Sequence, residues 1–124
     1  MKRDLKLVRD LLLFIEEKYQ TGHSFQINSD PEGRTQSEIQ YHLRIMAEAN
    51  LIKVLNASSK DGETYFVEGI TWEGHDFLDS ARNEKVWEKA DETAKKEGTR
   101  LNDLSFEVAK SLLVASAKQL FNLQ

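Results

Sequence analysis

TQSEIQYHLRIMAEANLIKV, residues 35–54, decides how this chain folds. Thr35-Gln36-Ser37-Glu38 matches a capping box: the Thr35 hydroxyl accepts from the third helical amide while Glu38 reaches back to the cap. Ile39, Leu43, Met46 and Ala47 then recur at helical spacing, as the buried stripe of an amphipathic helix does. Asn50 suits the left-handed conformation that ends such a helix. Leu51–Leu55 follows as a strand, and Ser58–Gly62 is a turn whose Asp61-Gly62 pair is a hairpin signal. Thr64–Ile70 returns as a second strand, with Tyr65, Val67 and Gly69 on one face. TWEGHDFLDSARNEKVWEK, residues 71–89, then starts a helix capped by Thr71.

Before this stretch, Leu5, Val8, Leu12 and Ile15 mark a helix over residues 4–19, with Leu11 and Leu13 widening its apolar stripe. Lys6, Arg9, Asp10, Glu16, Glu17 and Lys18 are assigned to its opposite surface. Thr21-Gly22 ends it, and Ser24–Asn28 alternates as a short strand with Phe25 and Ile27 inward. Ser29–Gly33 is a turn opened by Asp30-Pro31. Beyond Thr71, Trp72, Phe77, Leu78 and Ala81 form an apolar stripe that Val86, Trp87, Ala90 and Ala94 continue past a break near Arg82-Asn83. Gly98 ends this element. Asn102 or Asp103 caps a last helix carrying Phe106, Val108, Ala109, Leu112, Leu113, Ala117, Leu120 and Phe121. The expected order is α-β-α-β-β-α-α-α.

A chain of 124 residues suits one domain, 1–124, able to bury a working core without metals or disulfides. Its 31% charged residues and single proline fit an ordinary globular domain. The absence of cysteine excludes a disulfide framework, a thiolate zinc site and a cysteine nucleophile, and is compatible with a reducing compartment. Residues 1–19 place basic residues before LLLFI, yet an apolar run of five residues is too short for a secretory signal. No run reaches the ~20 residues of a membrane span. The expectation is a cytoplasmic protein. A net charge of −4 supplies no global attraction to phosphate.

MKRDLKLVRDLLLFIEE, EIQYHLRIMAEANLI and ITWEGHDFLDSARNEKVWEKA together resemble a family of bacterial and prophage proteins catalogued as domain of unknown function number 2513. The resemblance implies a small bacterial or phage cytoplasmic protein and supplies no catalytic residues. YHLRIMAEANLIKV is also similar to the recognition-helix region of winged-helix regulators. The expected fold is therefore α+β: a winged-helix-like part over 1–82 followed by a C-terminal helical part over 83–124. One departure stands out, because only SFQIN and a turn occupy the place of the helix that normally precedes a recognition helix.

If the Thr35–Asn50 helix docks in a major groove, Gln36, Ser37, Gln40, Tyr41 and Arg44 lie outward at 3–4-residue spacing. Glutamine can bond adenine edges, arginine can bond guanine, and serine or tyrosine can reach phosphate. Lys53 and Lys60 would add positive charge from the hairpin. Glu38 and Glu48 oppose this, and a solvated helix face is the competing account. His42, beside the buried stripe, reads as a core-edge histidine bonded to backbone or as a pH-sensing group. His75 and Asp79 could share a metal at i, i+4, but too few donors accompany them; helix capping by Thr71, Glu73 and Asp76, with Gly74 allowing close packing, is the simpler account.

No G-x-S-x-G elbow, glycine-rich phosphate loop or H-E-x-x-H appears, so neither an enzyme nor a cofactor is expected. Two functions remain: a prophage-associated nucleic-acid-binding or regulatory module contacting duplex DNA, or a protein-interaction adaptor on the same scaffold. The last helix offers a further face, either for a homodimer or for packing onto the first helix.

Overall fold

The computed structural model describes residues 1–28 and 32–122. Among them are α1 (Leu5–Lys18), α2 (Gln36–Glu48), β1 (Ile52–Asn56), β2 (Tyr65–Ile70), α3 (Trp72–Ala81), α4 (Glu84–Lys96) and α5 (Phe106–Leu120), with a 3₁₀ turn at Leu101–Asp103. The fold is mixed α+β: five α-helices and a two-stranded antiparallel sheet. The Asp30-Pro31 turn lies outside the described residues.

Local chemistry places most of the ends. The Asp4 carboxylate accepts from the Lys6 and Leu7 amides at the start of α1. Both halves of the Thr35–Glu38 capping box are made. At the other end of α2, Asn50 takes φ 61°; the Leu51 amide donates to the Met46 carbonyl and the Asn50 amide to that of Ala47. This paired closure satisfies carbonyls that the helix leaves open. Asn83 caps α4, producing the expected break after α3.

Two expectations about elements change. Residues 24–28 do not add a full third strand; Phe25 makes a single antiparallel bridge to Val67 on the free side of β2. One bridge still fixes the spatial order as Phe25, β2, β1. The last helix is capped by Ser105, whose Oγ accepts from the Val108 amide, while Asn102 and Asp103 fall inside the 3₁₀ turn.

The core joins the inner faces of α1 and α2, the inward side of the hairpin, and α3. Ile15, Ile39, Leu43, Val67, Phe77 and Leu78 are fully enclosed. The last helix packs mainly on α3 and α4; packing onto the first helix was one of the two uses expected for its apolar face. Phe106 and Phe77 meet there with centroids 4.8 Å apart.

Arg9, assigned to the outer surface with the other charged residues of α1, is instead buried. Its Nε donates to the Ala81 carbonyl at 2.7 Å and its Nη2 to the Arg82 carbonyl at 2.9 Å. Those carbonyls terminate α3, where backbone acceptors lack helical partners and a cation suits the helix dipole. Glu84 and the ring of Trp87 complete the setting, at 3.0 Å and 5.6 Å. One side chain of α1 thus holds the α3–α4 corner.

Candidate interaction surfaces

The outward face of α2 is less free than its polar spacing suggests. Gln36 and Ser37 are exposed. Gln40 is only 7% exposed, and its Oε1 accepts from the Tyr65 amide at 2.8 Å. This corrects the expectation that Gln40 lies outward: the hairpin folds back over α2, and the amide of β2 needs an acceptor there. His42 is likewise enclosed, with Nδ1 2.8 Å from the Glu38 carbonyl and Nε2 accepting from the Asp4 amide. A carbonyl on one nitrogen and an amide donor on the other define the neutral tautomer with its hydrogen on Nδ1. The backbone-bonded reading of His42 holds.

Arg44 is partly exposed but flanked by acids. Its Nη1 donates to Glu48 at 3.0 Å, its Nε lies 2.8 Å from Glu63, and its guanidinium sits 5.1 Å from the Tyr41 ring. The Glu48 hydrogen bond, with the nearby Glu63 charge, holds its pKa above the ordinary arginine value. A base-reading role would require breaking both pairs. Gln36, Ser37, Gln40 and Tyr41 do share one groove of about 460 Å³, but the hairpin contributes Asp61 and Glu63 to it. Lys60 is exposed near the hairpin tip, while Lys53 lines a different groove. The seven sequence-derived residues therefore do not assemble into one basic surface.

That second groove, about 580 Å³, lies where the end of α1, the outer side of the hairpin and the start of α3 meet. Tyr19, Lys53, Gly69, Trp72 and His75 line it, along with Glu16 and Glu68. Trp72, expected in the core, is 84% exposed. The reason is angular: five residues separate it from Phe77, which on a helix places the two about 140° apart. Gly69 takes φ +154° and presents backbone to the Tyr19 ring. On the hairpin, Leu55 is exposed and pairs across the strands with half-buried Phe66.

The rim is organised by Arg82, which donates from Nη1 and Nη2 to the two carboxylate oxygens of Glu16 at 2.9 and 2.8 Å and also pairs with Asp79. The Arg82 hydrogen bonds hold the Glu16 carboxyl below its ordinary range. A depressed carboxyl contributes stability above the unfolded pKa, lost as pH falls from roughly 4.3 through the folded value. Carboxyl-detected NMR titration should place Glu16 below an ordinary glutamate. Arg82→Ala should return it to the ordinary range; an unchanged midpoint would reject the pairing.

The candidate metal donors are dispersed by other bonds. Asp79 holds Arg82, Asp76 holds Lys110 and Glu73 accepts from Asn50. Among the described residues, no group of three or more His, Asp or Glu side chains is placed to hold a metal ion. No helix among them is long and apolar enough to cross a membrane.

A family model described as "Hypothetical protein (DUF2513)" matches residues 2–100. A Haemophilus influenzae protein named "Uncharacterized protein" is 30% identical over 115 residues, covering 90% of this chain and 92% of its own length. No solved structure matches. The chain belongs to the DUF2513 family.

Proposed function

We propose that this member of the DUF2513 family is a cytoplasmic, non-catalytic protein-interaction module on a winged-helix-like scaffold. Its partner docks at the groove beside Trp72. The observation that carries this reading is the 84% exposure of Trp72 next to Tyr19 on a concave surface. Tryptophan and tyrosine supply large contact area for little lost side-chain freedom and dominate protein-interface energetics. Leu55 and Phe66 extend the apolar surface along the hairpin. Support for the scaffold comes from the order α1, Phe25 bridge, α2, β1, β2 and from the hairpin lying against α2.

Duplex DNA is the competing partner, and it is disfavoured by the internal bonding of Gln40 and the carboxylates around Arg44. Phosphate binding must weaken steeply as salt rises. Mixed-sequence duplex DNA at low salt is therefore expected to leave the protein unbound. Affinity capture from nuclease-treated lysate of the source bacterium should retain a protein on the wild type and on Lys60→Ala, and lose it on Trp72→Ala. Salt-sensitive DNA binding that Lys60→Ala weakens, or capture indifferent to Trp72, overturns the proposal.

A further inference from the structure

The exposed face of α5 carries a pattern unrelated to the Trp72 groove, and α5 lies beyond the residues that match the family. Ala109, Leu113 and Ser116 point into the molecule and are buried. On the far side, Glu107, Ser111, Val114 and Lys118 succeed one another at spacings of four, three and four residues. Glu107, Ser111, Val114 and Lys118 are all exposed. Phe121, 57% exposed, extends the row by three residues at its C-terminal end, whereas half-buried Leu104 lies outside the helix, in extended backbone before the Ser105 cap.

The charges of this row are complementary to those of its own reverse. Reversing its direction brings Glu107 opposite Lys118 and Ser111 opposite Val114. A two-fold axis crossing the helix between Leu112 and Leu113 performs that reversal, since a two-fold interface places the same patch on both copies. Each acid then meets a base. Ser111 and Ala115 are small enough to let the helices approach closely near the axis. Val108, 53% exposed, flanks the contact.

We infer that α5 pairs antiparallel with α5 of a second copy of this chain, through the exposed Glu107, Ser111, Val114 and Lys118 face with reciprocal Glu107–Lys118 ion pairs. A 15-residue helix is about 22 Å long, so the contact sits at the small end of protein interfaces. The dimer is accordingly weak, and dissociates at micromolar concentration.

Glu107 and Lys118 also suit the dipole at their own ends of α5, so the test must separate pairing from helix stability. Sedimentation equilibrium of the full chain across a concentration series should show a monomer–dimer mass. Glu107→Lys alone and Lys118→Glu alone place like charges opposite one another, and each should raise the dissociation constant at least tenfold. The Glu107→Lys/Lys118→Glu double variant should restore the dimer to within about threefold of wild type. Thermal melts follow the folded state of each variant, because the swap opposes the dipole and lowers the melting temperature slightly without touching the core. A wild-type mass that stays monomeric, single variants without effect, or a double variant that fails to recover each overturns the inference.

Discussion

Gly74→Ala is expected to destabilise the protein by at least ~3 kcal/mol, toward or beyond the upper end of ordinary overpacking. For a domain of this size the melting temperature should fall by about 10–15 °C. A Cβ on Gly74 would stand 2.0 Å from the Leu51 carbonyl oxygen and 2.6 Å from Ile70 Cγ2. The first obstacle is backbone, and it is immobilised. The Thr71 amide donates to the Leu51 carbonyl at 3.0 Å. The Thr71 hydroxyl donates to the Asn50 carbonyl and accepts from the Gly74 amide. The start of α3 is therefore bonded directly onto the turn that closes α2. Adding one methyl group forces those two segments apart.

A comparison at Gly22 isolates the effect. Gly22 has positive φ but open space around its Cβ position, so Gly22→Ala meets only backbone strain of about 1 kcal/mol. Differential scanning calorimetry of the two variants should rank Gly74→Ala clearly below Gly22→Ala. Equal melting temperatures would mean that the α3–β1 junction can relax, contrary to the bonding described. The same substitution should also disturb the Trp72 groove, because Asn50, Thr71 and Trp72 all line it.

Arg9→Met is expected to cost about 2–4 kcal/mol. The methionine retains most of the apolar stem but leaves the Ala81 and Arg82 carbonyls, Glu84 and the Trp87 face without their cation. A buried acceptor deprived of its donor costs roughly 1–3 kcal/mol. Arg9→Lys should recover little of this. A single ammonium cannot reproduce the fork that reaches two successive carbonyls and a carboxylate together. Urea unfolding followed by far-UV circular dichroism measures both variants. Stability of Arg9→Lys within about 0.5 kcal/mol of wild type would reject the fork as the reason for this residue.

Arg9 also shows what periodicity held and what it concealed. Leu5, Val8, Arg9 and Leu12 stand at i, i+3, i+4 and i+7, the positions of one buried helix stripe. The position was legible as inward; residue type argued for the surface. Its acceptors lie 72 and 73 residues away in sequence, and no local rule reaches that far. Gln40 misleads in the same manner, since the Tyr65 amide that occupies it arrives only when the hairpin closes over α2. Trp72 was the reverse case: hydrophobicity argued for the core although its angular offset from Phe77 already placed it outside.

The helix ends were open to reading because each rests on atoms within a few residues of one another. Thr35 with Glu38, Thr71 with Gly74, and Asn50 in its left-handed turn are bonds the backbone makes as soon as a helix begins or stops. Short-range sterics and hydrogen bonding therefore set the succession of elements, and the apolar spacing set which sides of them turn inward. Which polar groups stay available to a partner depended on tertiary assembly. Burial leaves amides and carbonyls needing partners, and the side chain that answers is whichever one the packing brings within reach, however distant along the chain.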